Sequence, residues 1–199
     1  LTLALLGLGP AAQAQLSQHF TFDTSAVRGL SGFLDFQFAA NTDGTTPLNS
    51  SVTFSGFSGG VLGTVNAAGS VNVTGALPGS AALSNAGAGG ELMQAFTFGS
   101  SLSFDAAFPA PAAGGTADEG NAFQFFVLDG GANLLQTTDA SGANALASVD
   151  QAASGSVSPA RVYALVAAPV PEASTPVSLG LLLALGGVSL IAHRRRKGA

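Results

Sequence analysis

The 199-residue sequence has no cysteine, no tryptophan, one tyrosine and two histidines. Without cysteine there is neither a disulfide nor a thiolate metal site, so the fold must rest on its apolar core. With Tyr163 as the one aromatic polar ring, the side chains against which sugars usually stack are nearly missing. The histidines are His19 and His193, and lysine occurs once, at Lys197. Nucleophilic catalysis needs a base beside the nucleophile. The body of the chain, with no His, Cys or Lys between His19 and His193, nearly excludes a Ser-His-Asp or Cys-His centre.

Cations are also scarce. Residues 15–169 hold ten acidic side chains against Arg28 and Arg161, a balance of −8 that the whole-chain −5 conceals. A surface of that sign does not neutralise phosphates, which argues against nucleic acid as a partner. It favours solubility and attracts divalent cations.

The other four cations form one block at the C-terminus. Val177 to Ala192 carries no charge, and His193 and then Arg194, Arg195, Arg196 and Lys197 follow at once. A membrane span needs about 20 apolar residues. The run reaches that length only if Pro176 enters the headgroup region and the arginine stems snorkel to the far interface. The expectation is one transmembrane helix over 176–192, held by a basic stop-transfer tail (194–197) with its C-terminus initially in the cytoplasm. Ahead of it stands Val170-Pro171-Glu172-Ala173-Ser174-Thr175.

This order of motif, apolar helix and terminal arginine cluster resembles the PEP-CTERM sorting signal of Gram-negative bacteria. That family usually reads Val-Pro-Glu-Pro-Ser-Thr, so Ala173 departs from the second proline while the Pro-Glu pair and Ser-Thr stand intact. The resemblance covers 170–199. It implies that a membrane-embedded exosortase recognises the segment and cleaves near the motif, and that the protein accompanies extracellular polysaccharide. More loosely, Phe20–Ser25, Gly32–Phe38 and Phe96–Ser100 resemble the layout of PEP-CTERM exoproteins, a group that brings no activity with it.

The opening stretch, LTLALLGLGPAAQAQ, reads as a signal peptide over 1–14. Leu1 to Leu8 are the apolar region, Gly9-Pro10 break it, and Ala12-Gln13-Ala14 is an A-x-A site with signal-peptidase cleavage before Gln15. Neither Met nor a basic region precedes Leu1, so the true start is expected upstream.

Residues 15–169 then read as one exported β domain. Apolar residues alternate at Phe20/Phe22, Leu34/Phe36/Phe38, Val52/Phe54, Val71/Val73, Phe96/Phe98, Leu102/Phe104 and Phe123/Phe125/Val127. A last strand is expected at Val162–Val166. Turn signals fall at Asp43-Gly44, Gly59-Gly60, Pro78-Gly79, Gly89-Gly90 and Asp129-Gly130-Gly131. Ala143 to Ala153 could form a turn of helix, and residues 109–121 read as a low-complexity loop. The expected class is all-β: an antiparallel β-sandwich, jelly-roll-like.

For chemistry, Asp118, Glu119, Asp129 and Asp139 are weak calcium candidates, because a calcium site needs several clustered oxygens and no EF-hand spacing is present. Paired carboxylates for glycoside hydrolysis would need a cleft that composition does not indicate. No cofactor is expected. The sequence therefore points to a non-enzymatic protein exported through the inner membrane to the cell surface or extracellular matrix. Its role there would be structural or adhesive, beside exopolysaccharide. Alternatives are a carbohydrate-binding module and a plain single-span surface protein.

Overall fold

The computed structural model describes residues 16–40, 50–87, 89–109, 120–152 and 154–166. All of them belong to a compact unit that runs to Ala167, with Ala168–Ala199 separated as a second unit. The expected signal peptide, the sorting motif, the transmembrane helix, the basic tail, and Asp118 and Glu119 lie outside the described residues. Among those described, no helix is long and apolar enough to cross a membrane.

The described structure is all-β. Its strands are β1 (Leu16–Asp23), β2 (Ser31–Ala40), β3 (Ser51–Val65), β4 (Val73–Gly75), β5 (Ala81–Ser84), β6 (Gly90–Phe108), β7 (Asn121–Asp129), β8 (Ala147–Gln151) and β9 (Arg161–Val162), with single 3₁₀ turns at Ser25–Val27 and Ala67–Gly69. Pairing is antiparallel throughout, in the order β4-β5-β3-β6-β2-β7-β8-β9. β1 joins off this path, on β6.

β6 is the axis. Its first half pairs with β2, from Phe38↔Gly90 to Ser31↔Thr97. Its second half pairs with β1, from Asp23↔Ser101 to Leu16↔Phe108. The turn at Ser25–Val27 bridges the change of partner, with Gly29 N–H donating to Phe98 O and Phe98 N–H to Leu30 O. Along its other edge β6 carries β3, from Thr53↔Ala107 to Val65↔Gln94. A period of two places Leu92, Phe96, Phe98, Leu102, Phe104 and Phe108 on one face, and all six are buried.

The sheet curls so that rings from unpaired strands meet. Phe20 and Phe22 of β1 lie 6.1 and 5.4 Å from Phe123 and Phe125 of β7. Phe36 of β2 lies 4.8 Å from Phe54 of β3. All fourteen phenylalanines sit in strands; twelve are buried, and Phe33 and Phe57 are half-buried. Phe104 is the hub, with five rings around it: Phe20 and Phe125 at 5.1 Å, Phe36 at 5.2 Å, Phe22 at 6.0 Å and Phe54 at 6.1 Å.

Four expectations change. Gly59-Gly60 is no turn but lies within β3, at irregularities in its register with β6. Gly59 has φ +107° and runs so close to β6 that a Cβ would lie 2.0 Å from Ser101 O, which only glycine permits. The Phe96/Phe98 and Leu102/Phe104 pairs belong to one 19-residue strand. Ala147–Gln151, within the alanine-rich piece, is a strand because it can pair with β7. The expected strand at Val162–Val166 contracts to the short β9 and a single bridge from Leu165 to Thr137.

Phe104→Ala would remove the ring that five others contact. It should cost about 3–5 kcal/mol of unfolding free energy in a denaturant titration, with Phe104→Leu losing clearly less.

Candidate functional site

Four sets of polar side chains bear on function among the described residues. The first is the outward face of β1 and β6. His19 and Asp105 are register partners, and His19 Nδ1 lies 2.7 Å from Asp105 Oδ1. Its Nε2 lies 3.2 Å from Thr21 Oγ1, two residues along the same strand. The order carboxylate, imidazole, hydroxyl is that of a charge relay. In the sequence His19 is simply one of two histidines. Its place on the same alternation as Ser17 and Thr21 was the available signal; its pairing with Asp105, 86 residues away, was not.

The surroundings do not make this a reaction centre. The imidazole and carboxylate are 62% and 43% exposed. β1 pairs with β6 over its whole length, so the adjoining N–H groups lie in the plane of the sheet, not outward toward a developing oxyanion. The geometry orients an exposed histidine.

The second place is Asp35, which faces outward from β2 between Met93 on β6 and Phe126 on β7. It is buried, and its register partners Met93 and Phe126 belong to a small apolar cluster with Leu128, Ala145 and Phe33. Gln37 Nε2 donates to Asp35 Oδ2 at 2.8 Å, while Oδ1 is buried with no partner among the described residues. Desolvation, against that hydrogen bond and with a smaller push from Glu91, raises its pKa to about 6.

The third is a fully connected polar network at one end of the core. Asn85 Nδ2 donates to Asn121 Oδ1 (2.7 Å), and Asn121 Nδ2 and Ser50 Oγ donate to Gln151 Oε1 (3.1 and 2.8 Å). Gln151 Nε2 donates to Pro109 O at 2.8 Å. It joins the ends of β3, β5, β7 and β8. A groove of ≈ 270 Å³ bordered by Gly120, Asp150 and Val157 adjoins it, but the amides donate inward to one another.

The fourth comprises the calcium candidates Asp129 and Asp139, which lie in separate turns. Asp129 Oδ1 accepts from the N–H groups of Gly131 and Asn133 at 2.8 and 2.9 Å, and Asn133 Nδ2 reaches both carboxylate oxygens. Asp139 Oδ1 accepts from Ser141 N–H at 2.9 Å, and its Oδ2 from Ser141 Oγ at 2.8 Å. Hydrogen bonds from Asn133 and Ser141 respectively hold both carboxyls below their ordinary range. The oxygens are occupied by local donors that shape each turn. Among the described residues no three His, Asp or Glu side chains come close enough to hold a metal ion. The structure therefore brings Asp129 and Asp139 to turns and not to each other.

Asp35 gives a pH prediction. The folded chain keeps this proton to about pH 6, whereas an unfolded Asp loses it near 3.8. Between those values the native state binds more protons, so this group's contribution to stability falls as pH rises. Asp35→Asn should remove that slope and raise stability at neutral pH by on the order of 2 kcal/mol, two pKa units being about 3 before allowance for residual solvent. Denaturant midpoints of both proteins at pH 4, 5, 6 and 7 would show it; parallel curves would refute it.

No protein-family model, no curated protein and no solved structure matches this chain.

Proposed function

We propose that this chain is an exported surface or matrix protein sorted by an exosortase, with a structural or adhesive role beside exopolysaccharide. The observation that carries the reading is the arrangement of segments in the sequence. An A-x-A site ends at Ala14, a β domain follows, and Val170–Thr175, an apolar run and Arg194–Lys197 close the chain. The finer architecture we read is a two-layer, jelly-roll-like sandwich; the ring contacts between β1 and β7, which do not pair with one another, support it.

The site chemistry supports a non-enzymatic role. No phenylalanine ring lies exposed, so the aromatics serve the core and leave no stacking floor for a sugar. Tyr163, half-buried, is the one ring with a polar tip. The outward face of β1, β6 and the start of β3 instead offers hydroxyls and short polar groups: Ser17, His19, Thr21, Ser103, Asp105 and Ser55. Such a face suits contact with a hydrated polymer more than capture of one small molecule. Partners on this reading are signal peptidase and exosortase during processing, and exopolysaccharide afterwards.

Intact mass of the protein from the envelope and the medium of a Gram-negative host that has an exosortase tests the sorting. The expected species begins at Gln15 and ends near 170–175. Replacing Pro171 and Glu172 with Ala should restore the tail-bearing mass. An unaltered chain that retains Arg194–Lys197 would instead mean a plain single-span surface protein.

A further inference from the structure

The acidic side chains are not spread evenly. From Gly44 to Gly90 there is no Asp, Glu, Lys, Arg or His, and this stretch builds β3, β4, β5 and the turn at Ala67–Gly69. β3 pairs with β5 only through Ser51–Phe54. From Ser55 to Val65 it has β6 on one side and, among the described residues, no strand on the other. The row of peptide groups on that side is a template for another strand.

Natural edges are usually guarded by lysine, by proline or by an inward charge. Here none of these occurs between Ser55 and Val65. The register shifts at Ser55/Ser58, Ser58/Gly60 and Leu62/Val65 twist the strand, yet Gly60, Val61 and Leu62 stay in register with Phe98, Thr97 and Phe96. Apolar side chains stand along the same margin. Val61 is 68% exposed, Val65 41% and Val71 51%, and they lie beside Thr97, Gln94 and Glu91 in turn along β6. A groove of ≈ 250 Å³ opens between Val61, Leu62 and Phe33.

We propose that Gly60–Val65 is a self-association edge, where a second copy adds its own Gly60–Val65 antiparallel about a two-fold axis. Charge favours a second copy as the occupant. Residues 15–169 carry ten acidic groups against two basic ones, so two copies repel over most orientations and least where the segments that meet, Gly60–Val65 of each, are themselves uncharged. A two-fold contact uses the same patch on both partners, which an uncharged strand with β-branched side chains satisfies. The valines of the two copies then cover one another. This proposal concerns the β unit and does not depend on how the tail is processed.

The chain has no cysteine, so introduced thiols report cleanly. Full-length single-cysteine variants Val61→Cys, Thr64→Cys and Val65→Cys would be treated in membranes of an expressing host with a short bis-maleimide, which tolerates a small register offset. Ser17→Cys and Thr21→Cys on β1, an edge strand in its own right, are the comparison. A covalent dimer of twice the chain mass is expected from the β3 set and not from the β1 set. Adding Val61→Lys to Thr64→Cys should lower the dimer yield roughly tenfold, a loss of about 1.4 kcal/mol in association, while Val61→Thr should keep it. Equal yields from both sets, dimers from β1 alone, no dimer at all, or a yield that Val61→Lys leaves unchanged would each overturn the proposal. Failure here with correct tail trimming would leave the sorting reading intact, and the reverse holds as well.

Discussion

The contact of Phe104 with rings on β1, β2, β3 and β7 is the interaction on which the rest depends. Its strand, the 19-residue β6, pairs along both edges for most of its length. The inward alternation of β6 therefore has to be continuous from Leu92 to Phe108, because a slip of one residue would turn every phenylalanine on it outward. With no disulfide in the chain, register and ring packing must hold the curled sheet together. Fourteen phenylalanines in place of mixed aromatics fit that task, since a Phe ring can be buried from every side without needing a hydrogen-bond partner.

The same demand explains what was legible in the sequence and what was not. Period-two runs such as Phe36/Phe38 and Phe123/Phe125 report the buried face directly, because alternation is the physical consequence of burying one side of a strand. Gly59-Gly60 carries an ambiguous signal. Glycine pairs mark turns, but they also mark places where two backbones approach too closely for a Cβ, and Ser101 O is that neighbour here. Which of the two applies depends on Ser101, far along the chain on β6, and local pattern cannot supply it. Asp35 was hidden for a related reason. Within Leu34-Asp35-Phe36-Gln37-Phe38 it occupies an outward position, and outward ordinarily means wet; it becomes buried beside Phe126 and Met93 only once the sheet has formed.

Long-range pairing also separates the site residues. His19 meets Asp105 because β1 and β6 share a register, whereas Asp129 and Asp139 serve donors within six residues of themselves. Local Asp-Gly and Asp-Ala-Ser-Gly sequences are legible as turns, and a carboxylate that caps a turn accepts the hydrogen bonds that a metal would otherwise displace. The buried amides of Asn85, Asn121 and Gln151 likewise close on one another. Such closure matters where β3, β5, β7 and β8 end together, since an unpaired amide there would cost more than its hydrogen bond contributes. The polar residues of this domain are thus largely turned to building it.

That allocation bears on function more than any single residue does. When buried amides and turn carboxylates are occupied internally, recognition falls to what remains on the outside: hydroxyls on the β1–β6 face, an acidic field, and strand edges. An acidic field discourages the anionic headgroups of a membrane surface, so a domain of −8 joined to a tail of four cations experiences opposite preferences at its two ends. Without that tail, residues 15–169 carry a net negative charge. Among the described residues, uncharged edges and hydroxyl faces are then the surfaces open to association where charge repels.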